Sequence, residues 1–377
     1  MADETKSGVT AQIRVRRCYG CGAILQDQYP EEKGYIPPEK FLSEEETLCQ
    51  RCYKLRHYSV YKEAPSLNNE YLTILNSAKE NDNLIVYVIN AFTINGSIIE
   101  GISEHLSENV IAVLNKRDVV SNLKDEYLLN RTEKILAENN IKVKDIIILS
   151  SLESDNEKVS ALSEKIEKFR NGKSVYFIGV NQVGKSSLVN LILKNFVNKT
   201  DKMITTSPFP GTTLDVISIP LDQNSFIYDT PGIENPSSII SIIEPTLARF
   251  ILPRENVKAK KESLKPGQSL VVSNFLKIDL LEGKKLNLTY YLSRYLPVKK
   301  VNLTKADSYM NELKESSSII TEKVQSYDDL STTNLIAIPD KKNIIRVYGL
   351  GTFVFQGSDQ KIEVKTFKGV KVLLEDE

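Results

Sequence analysis

The segment Gly179–Ser186 has the residue types and spacing needed to hold phosphate. It reads GVNQVGKS, fits the pattern G-x-x-x-x-G-K-[ST], and lies between an apolar run and a helical run. Backbone N–H groups of such a loop surround the phosphates at a helix N-terminus. We predict that Lys185 contacts the β- and γ-phosphates in catalysis and that Ser186 binds Mg²⁺. The residues of this segment and directly after it that are predicted to contact the nucleotide are Asn181, Gln182, Val183, Gly184, Lys185, Ser186 and Ser187.

Two segments downstream of this loop fit the switches of a nucleotide-hydrolysing protein. Residues 210–213 read PGTT, and DTPG begins at Asp229. A threonine that reaches Mg²⁺ only with a γ-phosphate forms a first switch, and an aspartate followed by a glycine N–H forms a second. Spacing favours Thr213, with Thr212 as the alternative. We predict that Thr213 and Asp229 bind Mg²⁺, and that Thr213 and Gly232 act in catalysis.

The segment Asn115–Asp118, which reads NKRD after an apolar run, is predicted to choose the base. A carboxylate there accepts hydrogen bonds from guanine N1–H and the N2 amino group. Adenine lacks this donor pair and would leave Asp118 buried and unpaired, which penalises ATP. Asn115 would brace the loops, and the stem of Lys116 would pack on the base. A backbone N–H of a further segment would contact guanine O6, and its residues are Ser150, Ser151 and Leu152.

The order of these segments is rotated relative to ordinary GTPases, which begin with the phosphate loop. Here the base segments (115–118 and 150–152) come first, and both switches come after the loop. If the two ends of an ordinary GTPase are joined and its chain is cut after the second switch, the order found here results. The sheet is not disturbed if the cut lies in a surface loop. We therefore predict a circular permutation. Because the chain leaves the nucleotide-binding part directly after Gly232, movement of that glycine would pull on the C-terminal domain.

Ile233 indicates slow intrinsic hydrolysis. It comes directly after the second-switch glycine, where the best-studied small GTPases carry a glutamine that orients water. An aliphatic side chain cannot polarise the attacking water. Mg²⁺, Lys185 and the switches would supply the catalysis by positioning, with a partner completing the site.

The four cysteines form two C-x-x-C pairs near the N-terminus. Disulfides are the poorer interpretation in a reducing compartment, and four thiolates in two pairs match a tetrahedral structural Zn²⁺ site. A pair of redox dithiols normally accompanies a βαβ pattern, which is absent here. The basic and aromatic run 51–58 beside them either contacts RNA or forms a solvated rim. The predicted zinc ligands are Cys18, Cys21, Cys49 and Cys52.

The apolar pattern predicts a doubly wound α/β sheet followed by a β-rich part. In the first part, strands are predicted over 84–89, 110–114, 146–149, 175–178, 214–219 and 225–228, with helices over 123–139 and 157–169. In the second, the strand-rich runs are 269–281, 286–296, 343–355 and 361–374, with a helix over 305–315. We predict a zinc-binding domain (1–60), a nucleotide-binding domain (61–235) and a domain for RNA or a partner (236–377).

Composition limits the partners. Lys+Arg and Asp+Glu number 49 each, so an RNA site must be a local basic patch rather than an effect of net charge. No apolar run approaches the ~20 residues that span a bilayer, and the polar N-terminus does not fit a signal peptide. We predict a cytoplasmic protein with no membrane partner.

The sequence resembles the circularly permuted GTPases, and within them the YqeH type of ribosome-assembly GTPase. The resemblance rests on the cysteine pairs, the motif order and the segments GQSL (267–270), LP (296–297), KAD (305–307) and GLG (349–351). It implies a role in maturation of the small ribosomal subunit, with contacts to ribosomal RNA or a ribosomal protein. Gln182 stands where the family has the asparagine that helps to hold K⁺, which leaves K⁺ stimulation open. Residues 90–93 lack the family's acidic character, and Leu152 replaces a lysine.

Two other functions share some of these features. An RNA-binding assembly factor would use GTP as a conformational ligand with little hydrolysis. An ATP-dependent kinase for small molecules would share the phosphate loop but would have no use for Asp118.

Overall fold

A computed structural model describes residue 18 and residues 24–30, 34–41, 48–50, 67–152, 156–196, 205–208, 210, 214–316 and 319–376. Four predicted ligand or switch residues and the basic run 51–58 lie outside the described residues. The four are Cys21, Cys52, Thr212 and Thr213.

The first large core surrounds a seven-stranded sheet. Its strands are β1 (Leu84–Asn90), β2 (Val110–Asn115), β3 (Ile146–Ile148), β4 (Val175–Ile178), β5 (Thr205–Pro208), β6 (Asp215–Pro220) and β7 (Phe226–Asp229). They lie in the order β3-β2-β1-β4-β7-β6-β5. The first five run parallel, and β6 is antiparallel to both neighbours. Every residue of β1 and β2 is buried, as expected for parallel strands covered on both faces.

The helices follow the amphipathic pattern of surface helices. The α-helices of the described residues are α1 (Pro38–Phe41), α2 (Asn69–Glu80), α3 (Asp125–Glu138), α4 (Asn156–Arg170), α5 (Lys185–Phe196), α6 (Ile239–Ile242), α7 (Pro245–Ile251) and α8 (Ala306–Ser316). Helix α2 begins after Asn68, whose side chain accepts a hydrogen bond from the Tyr71 N–H at 3.0 Å. It buries Tyr71, Ile74, Leu75 and Ala78, which share one face. No helix among the described residues has the length and apolar character needed to cross a membrane.

The second large core lies between two five-stranded antiparallel sheets. Their strands are β8 (Lys260–Leu264), β9 (Gln268–Val272), β10 (Leu276–Glu282), β11 (Leu286–Tyr291), β12 (Val298–Asn302), β13 (Ser331–Ile336), β14 (Lys342–Val347), β15 (Gly351–Gln356), β16 (Lys361–Thr366) and β17 (Val372–Asp376). One sheet has the order β12-β9-β10-β16-β13 and the other β17-β14-β15-β11-β8. Ile233 belongs to the first core and Ile239 to the second, so the chain changes cores between them.

The predicted architecture, a parallel α/β sheet followed by a β-rich part, is confirmed. Each of the six strands predicted between residues 84 and 229 corresponds to an observed strand. The strand-rich run 269–281 is a hairpin of two strands, β9 and β10. Helices α1, α2, α6 and α7 and strands β5, β8, β12 and β13 were not predicted.

Candidate functional site

The phosphate loop connects β4 to the start of α5, and two of its glycines are required by close contacts. Gly179 has φ +146° and Gly184 has φ +95°. A Cβ at Gly184 would collide with the side-chain amide of Asn115, and one at Gly179 would collide with the Val88 carbonyl. Positive φ and lack of space both favour glycine there. The loop is therefore packed tightly against β1 and against the end of β2.

Lys185 and Asp229 form the charged centre of this loop, and both are buried. Lys185 Nζ donates to the carbonyl oxygens of Gly179 and Val180, at 3.0 and 3.2 Å. Burial lowers the pKa of Lys185 to about 8, although the negative charge of Asp229 acts in the opposite direction. Burial raises the pKa of Asp229, while a hydrogen bond from Ser186 and the charge of Lys185 lower it. The lysine is thus a desolvated cation aimed into the loop, where anionic phosphate would stabilise its charge.

Ser186 and Asp229 provide oxygen ligands suited to Mg²⁺. The Ser186 hydroxyl contacts the Asp229 carboxylate. The Asp229 Oδ1 atom is buried, and no hydrogen-bond partner for it occurs among the described residues. A buried carboxylate oxygen without a partner is costly unless a cation or donor satisfies it. Mg²⁺ prefers carboxylate and hydroxyl oxygens, so these two residues fit the ion.

Asn115 connects the base segment to the phosphate loop. Its side chain is fully buried, and its Nδ2 donates to the Val183 carbonyl at 2.8 Å. Its Oδ1 accepts a hydrogen bond from the Ser151 N–H at 3.0 Å. One amide therefore joins three segments that are separate in the sequence, as its predicted bracing role requires.

Asp118 is held by the neighbouring segment that was predicted to contact guanine O6. The Ser150 hydroxyl donates a short hydrogen bond to Asp118 Oδ1 and accepts one from the Leu152 N–H at 3.2 Å. Leu152 itself is 73% exposed. Burial lowers the pKa of Lys116 to about 8, with Asp118 opposing this and Arg254 adding to it. The structure thus brings Lys116, Asp118 and Ser150 together beside the phosphate loop.

The second switch lies directly on the phosphate loop. The Ile233 N–H donates to the Gly179 carbonyl at 3.1 Å, and the Asn181 N–H donates to the Ile233 carbonyl at 3.2 Å. A Cβ at Gly232 would collide with Asn181. The Ile233 side chain is fully buried in the first core. The position that carries a water-orienting glutamine in the best-studied small GTPases is here a core position.

Tyr71 is a contact of the second switch that sequence reasoning missed. Its hydroxyl lies 2.7 Å from the Thr230 hydroxyl and 3.4 Å from the Pro231 carbonyl. Burial raises the pKa of Tyr71. The Asn68 cap and the apolar spacing of α2 could have predicted the helix. No local pattern indicates which of its residues contacts Thr230.

Hydrogen bonds connect the chain to residues of the first core immediately after the second switch. Asn235 Nδ2 donates to the carbonyls of Gly96 and Ile98, at 3.0 and 2.8 Å. In the same segment of the first core, Thr93 Oγ1 accepts a hydrogen bond from the Gly349 N–H at 3.1 Å. Residues 93–98 thus contact both the exit from the switch and the second core.

The two cysteines that the structure describes lie together, although they belong to different C-x-x-C pairs. Both are buried, and the Cys49 N–H donates to Cys18 Sγ at 3.1 Å. Among the described residues, which omit Cys21 and Cys52, no group of three or more metal-binding side chains occurs. The juxtaposition of one cysteine from each pair fits a shared metal ion.

Known proteins resemble this chain over most of its length and over residues 73–239. The family described as RsgA GTPase matches residues 73–239. YqeH of Bacillus subtilis is 31% identical over 363 residues, which cover 95% of this chain and 97% of YqeH.

More distant relatives include nitric oxide-associated protein 1 of Mus musculus. It is 22% identical over 440 aligned residues, covering 77% of this chain and 63% of that protein. GTPase Der of Aquifex aeolicus is 46% identical over 79 residues, which are 20% of this chain and 17% of Der. With the RsgA GTPase match over residues 73–239 and the near-complete match to YqeH, the chain belongs to the YqeH-type family of GTPases.

Proposed function

We propose that this protein binds and hydrolyses GTP as a molecular switch that assists assembly of the small ribosomal subunit. The main support for GTP binding is the hydrogen bond of 2.8 Å that the Asn115 side chain donates to the Val183 carbonyl. It joins the segment suited to guanine to the loop suited to phosphate. A GTPase needs both at one site, whereas a kinase for small molecules does not need the first.

In this proposal, each group acts through charge and position. Asp118, oriented by Ser150, accepts the two hydrogen bonds of guanine. Lys185 stabilises negative charge that develops on the phosphates, and the Gly232 N–H contacts the γ-phosphate. Ser186 and Asp229 would hold Mg²⁺, which would supply positive charge to the phosphates. Thr213 completes the Mg²⁺ site as an element of the first switch.

Slow intrinsic turnover is part of the proposal. The Ile233 side chain is fully buried, so it does not orient water. A group from a ribosomal partner would complete the site.

Three structural proposals accompany this function. The nucleotide-binding domain, residues 61–235, is a circularly permuted GTPase domain, because its base segments precede the phosphate loop in sequence yet contact it. Residues 236–377 form a separate domain that contacts RNA or a ribosomal protein, a division supported by the change of core between Ile233 and Ile239. The N-terminal residues 1–60 bind structural Zn²⁺ through four cysteines, as the contact between Cys49 and Cys18 supports. We place this protein in the cytoplasm.

The alternative, an RNA-binding assembly factor that hydrolyses little GTP, is favoured by the burial of Ile233. The switch enzyme and the RNA-binding factor differ in the rate of GTP hydrolysis when the protein is bound to its ribosomal partner. A switch enzyme would hydrolyse GTP faster when bound to ribosomal particles. The alternative would bind them in a nucleotide-dependent manner without faster hydrolysis.

The test is a measurement of phosphate release by the full chain with Mg²⁺ and either GTP or ATP, with and without small ribosomal subunits. We expect slow hydrolysis of GTP only, faster with the subunits, and loss of activity in Ser186→Ala. Co-sedimentation with a non-hydrolysable GTP analogue should exceed that with GDP. Equal hydrolysis of ATP, or equal co-sedimentation in all nucleotide states, would contradict the proposal.

A further inference from the structure

A cavity of about 620 Å³ lies between the two large cores. One wall belongs to residues 91–95 and to positions between Val120 and Arg131, and the other to strands β11, β14 and β15. No residue predicted to contact the nucleotide lines it. Ligand sites commonly have volumes of roughly 300–1,000 Å³ and often lie at domain interfaces. The cavity therefore has the size and place of a site for a small organic molecule.

The charged residues that line this cavity are all cationic. They are Lys124, Arg131, Lys342 and Arg346. Glu375, which is not a lining residue, pairs with both arginines: Arg131 Nη1 lies 3.0 Å and Arg346 Nε 2.8 Å from its Oε2. The two arginines share this single carboxylate, so the pair keeps a net positive charge at the cavity wall.

The two arginines are held in place before any ligand binds. Arg131 Nη2 donates to Asn95 Oδ1 at 2.8 Å, and Arg346 Nη2 donates to the Tyr127 hydroxyl at 3.4 Å. Their side chains are only 13% and 14% exposed, so solvent screens their charges little. A preorganised, poorly screened cation is a favourable partner for an acidic group.

The rest of the lining is aromatic and aliphatic. The aromatic residues are Phe92, Tyr127, Tyr291 and Tyr348. Planar ligands pack well on such rings, and guanidinium groups beside aromatic rings favour planar anions. Positive charge next to apolar faces selects a molecule that is both anionic and apolar.

We propose that this cavity is a second ligand site, which binds a small organic anion composed of a planar apolar ring system and one acidic group. The acidic group lies against the cationic side chains, and the ring lies against the aromatic ones. The site is separate from the nucleotide site and does not depend on GTP hydrolysis.

Two fluorescent probes with the same rings test the proposal. The anion 8-anilinonaphthalene-1-sulfonate carries the acidic group, and N-phenyl-1-naphthylamine lacks it. Each is titrated into the full chain saturated with GDP and Mg²⁺, so that the nucleotide site is occupied. We expect about one sulfonate probe per chain, bound roughly tenfold or more tightly than the neutral probe because of the cations.

Neighbouring lysines supply the matched control. Lys342 lines the cavity and Lys341 does not, although both are exposed. Lys342→Met should weaken sulfonate binding about three- to tenfold and leave the neutral probe unchanged, whereas Lys341→Met should change neither. Arg346→Met should weaken the sulfonate probe at least as much, with folding checked by the melting temperature. Absent sulfonate binding, equal affinities of the two probes, or equal effects of Lys341→Met and Lys342→Met would overturn the proposal.

Discussion

We predict that Lys185 makes nucleotide binding sensitive to pH. Burial lowers its pKa to about 8, and a bound phosphate would raise that pKa by stabilising the charged form. Binding above pH 8 therefore takes up a proton, and affinity falls as pH rises through the pKa of the free protein.

We expect GDP affinity to be constant below about pH 7.5 and to fall by up to roughly tenfold per pH unit above 8. The measurement is a titration of GDP at constant ionic strength between pH 6.5 and 9. Proton uptake should appear in calorimetry at pH 8.5 as a dependence of the binding heat on the buffer. An affinity independent of pH over this range would show that Lys185 does not titrate as described.

At position 233, we predict that replacing Ile233 by the glutamine of the best-studied small GTPases does not accelerate GTP hydrolysis. The side chain is fully buried, and its backbone is bonded to the phosphate loop. Ile233→Gln would bury an amide in an apolar core and lower the free energy of unfolding by about 2–4 kcal/mol. We expect no faster GTP hydrolysis, because the side chain points into the core.

Denaturant unfolding and single-turnover hydrolysis measure the two effects. Ile233→Val is the control, with a loss of about 0.5–1.5 kcal/mol and unchanged turnover. A stable Ile233→Gln variant with accelerated hydrolysis would mean that this position faces the attacking water.

At the scale of elements, the strands that the sequence predicted are those with continuous apolar runs. β1 and β2 are buried throughout, so their sequences carry an unambiguous signal. β5 reads TTSP and β8 reads KKESL, so neither has an apolar run to find. The strand-rich run 269–281 contains two strands, β9 and β10, but its turn, at Ser273 with φ +51°, contains no glycine that would mark it in the sequence.

The candidate site also contains residues that the sequence predicted and residues that it did not. The phosphate loop, the NKRD segment and the DTPG segment were predictable because each is a local pattern with a local cause. Tyr71, the role of Ser150 in holding Asp118, and the cavity between the cores arise from residues distant in sequence. Sequence spacing carries no information on such contacts.

The N-terminal element yields a prediction about metal. Cys18 and Cys49 are in contact, and a tetrahedral thiolate site needs all four cysteines. Purified protein should contain about one zinc ion per chain, and Cys49→Ser should lose it. Elemental analysis with a melting curve measures this. Metal-free protein with an unchanged melting temperature would exclude a structural zinc site.

At the scale of the whole molecule, the exit from the second switch is joined to the second core. Asn235 bonds the segment that includes Gly96 and Ile98, and Thr93 in that segment bonds Gly349. Arg131 and Arg346 share Glu375 across the same boundary. A change at Gly232 therefore has a continuous path of contacts to strands β14 and β17.

We expect hydrogen exchange within residues 236–376 to differ between GDP and a non-hydrolysable GTP analogue. Asn235→Ala removes two hydrogen bonds of the path and should reduce the difference. Asn334→Ala, at an exposed position of β13, should not. Identical exchange in the two nucleotide states would remove the basis for coupling.

The central claim, that the chain selects guanine through Asp118, is tested most directly by changing the base preference. Asp118→Asn replaces a carboxylate by an amide, so that guanine N2 faces a donor while the xanthine carbonyl faces a partner. GDP affinity should fall by about 10²- to 10⁴-fold, and XDP should recover much of it because the phosphate loop is unchanged. The measurement is a titration of GDP, ADP and XDP against the natural protein and the variant. Equal binding of ADP and GDP by the natural protein, or unchanged GDP binding by the variant, would contradict guanine selection by this residue.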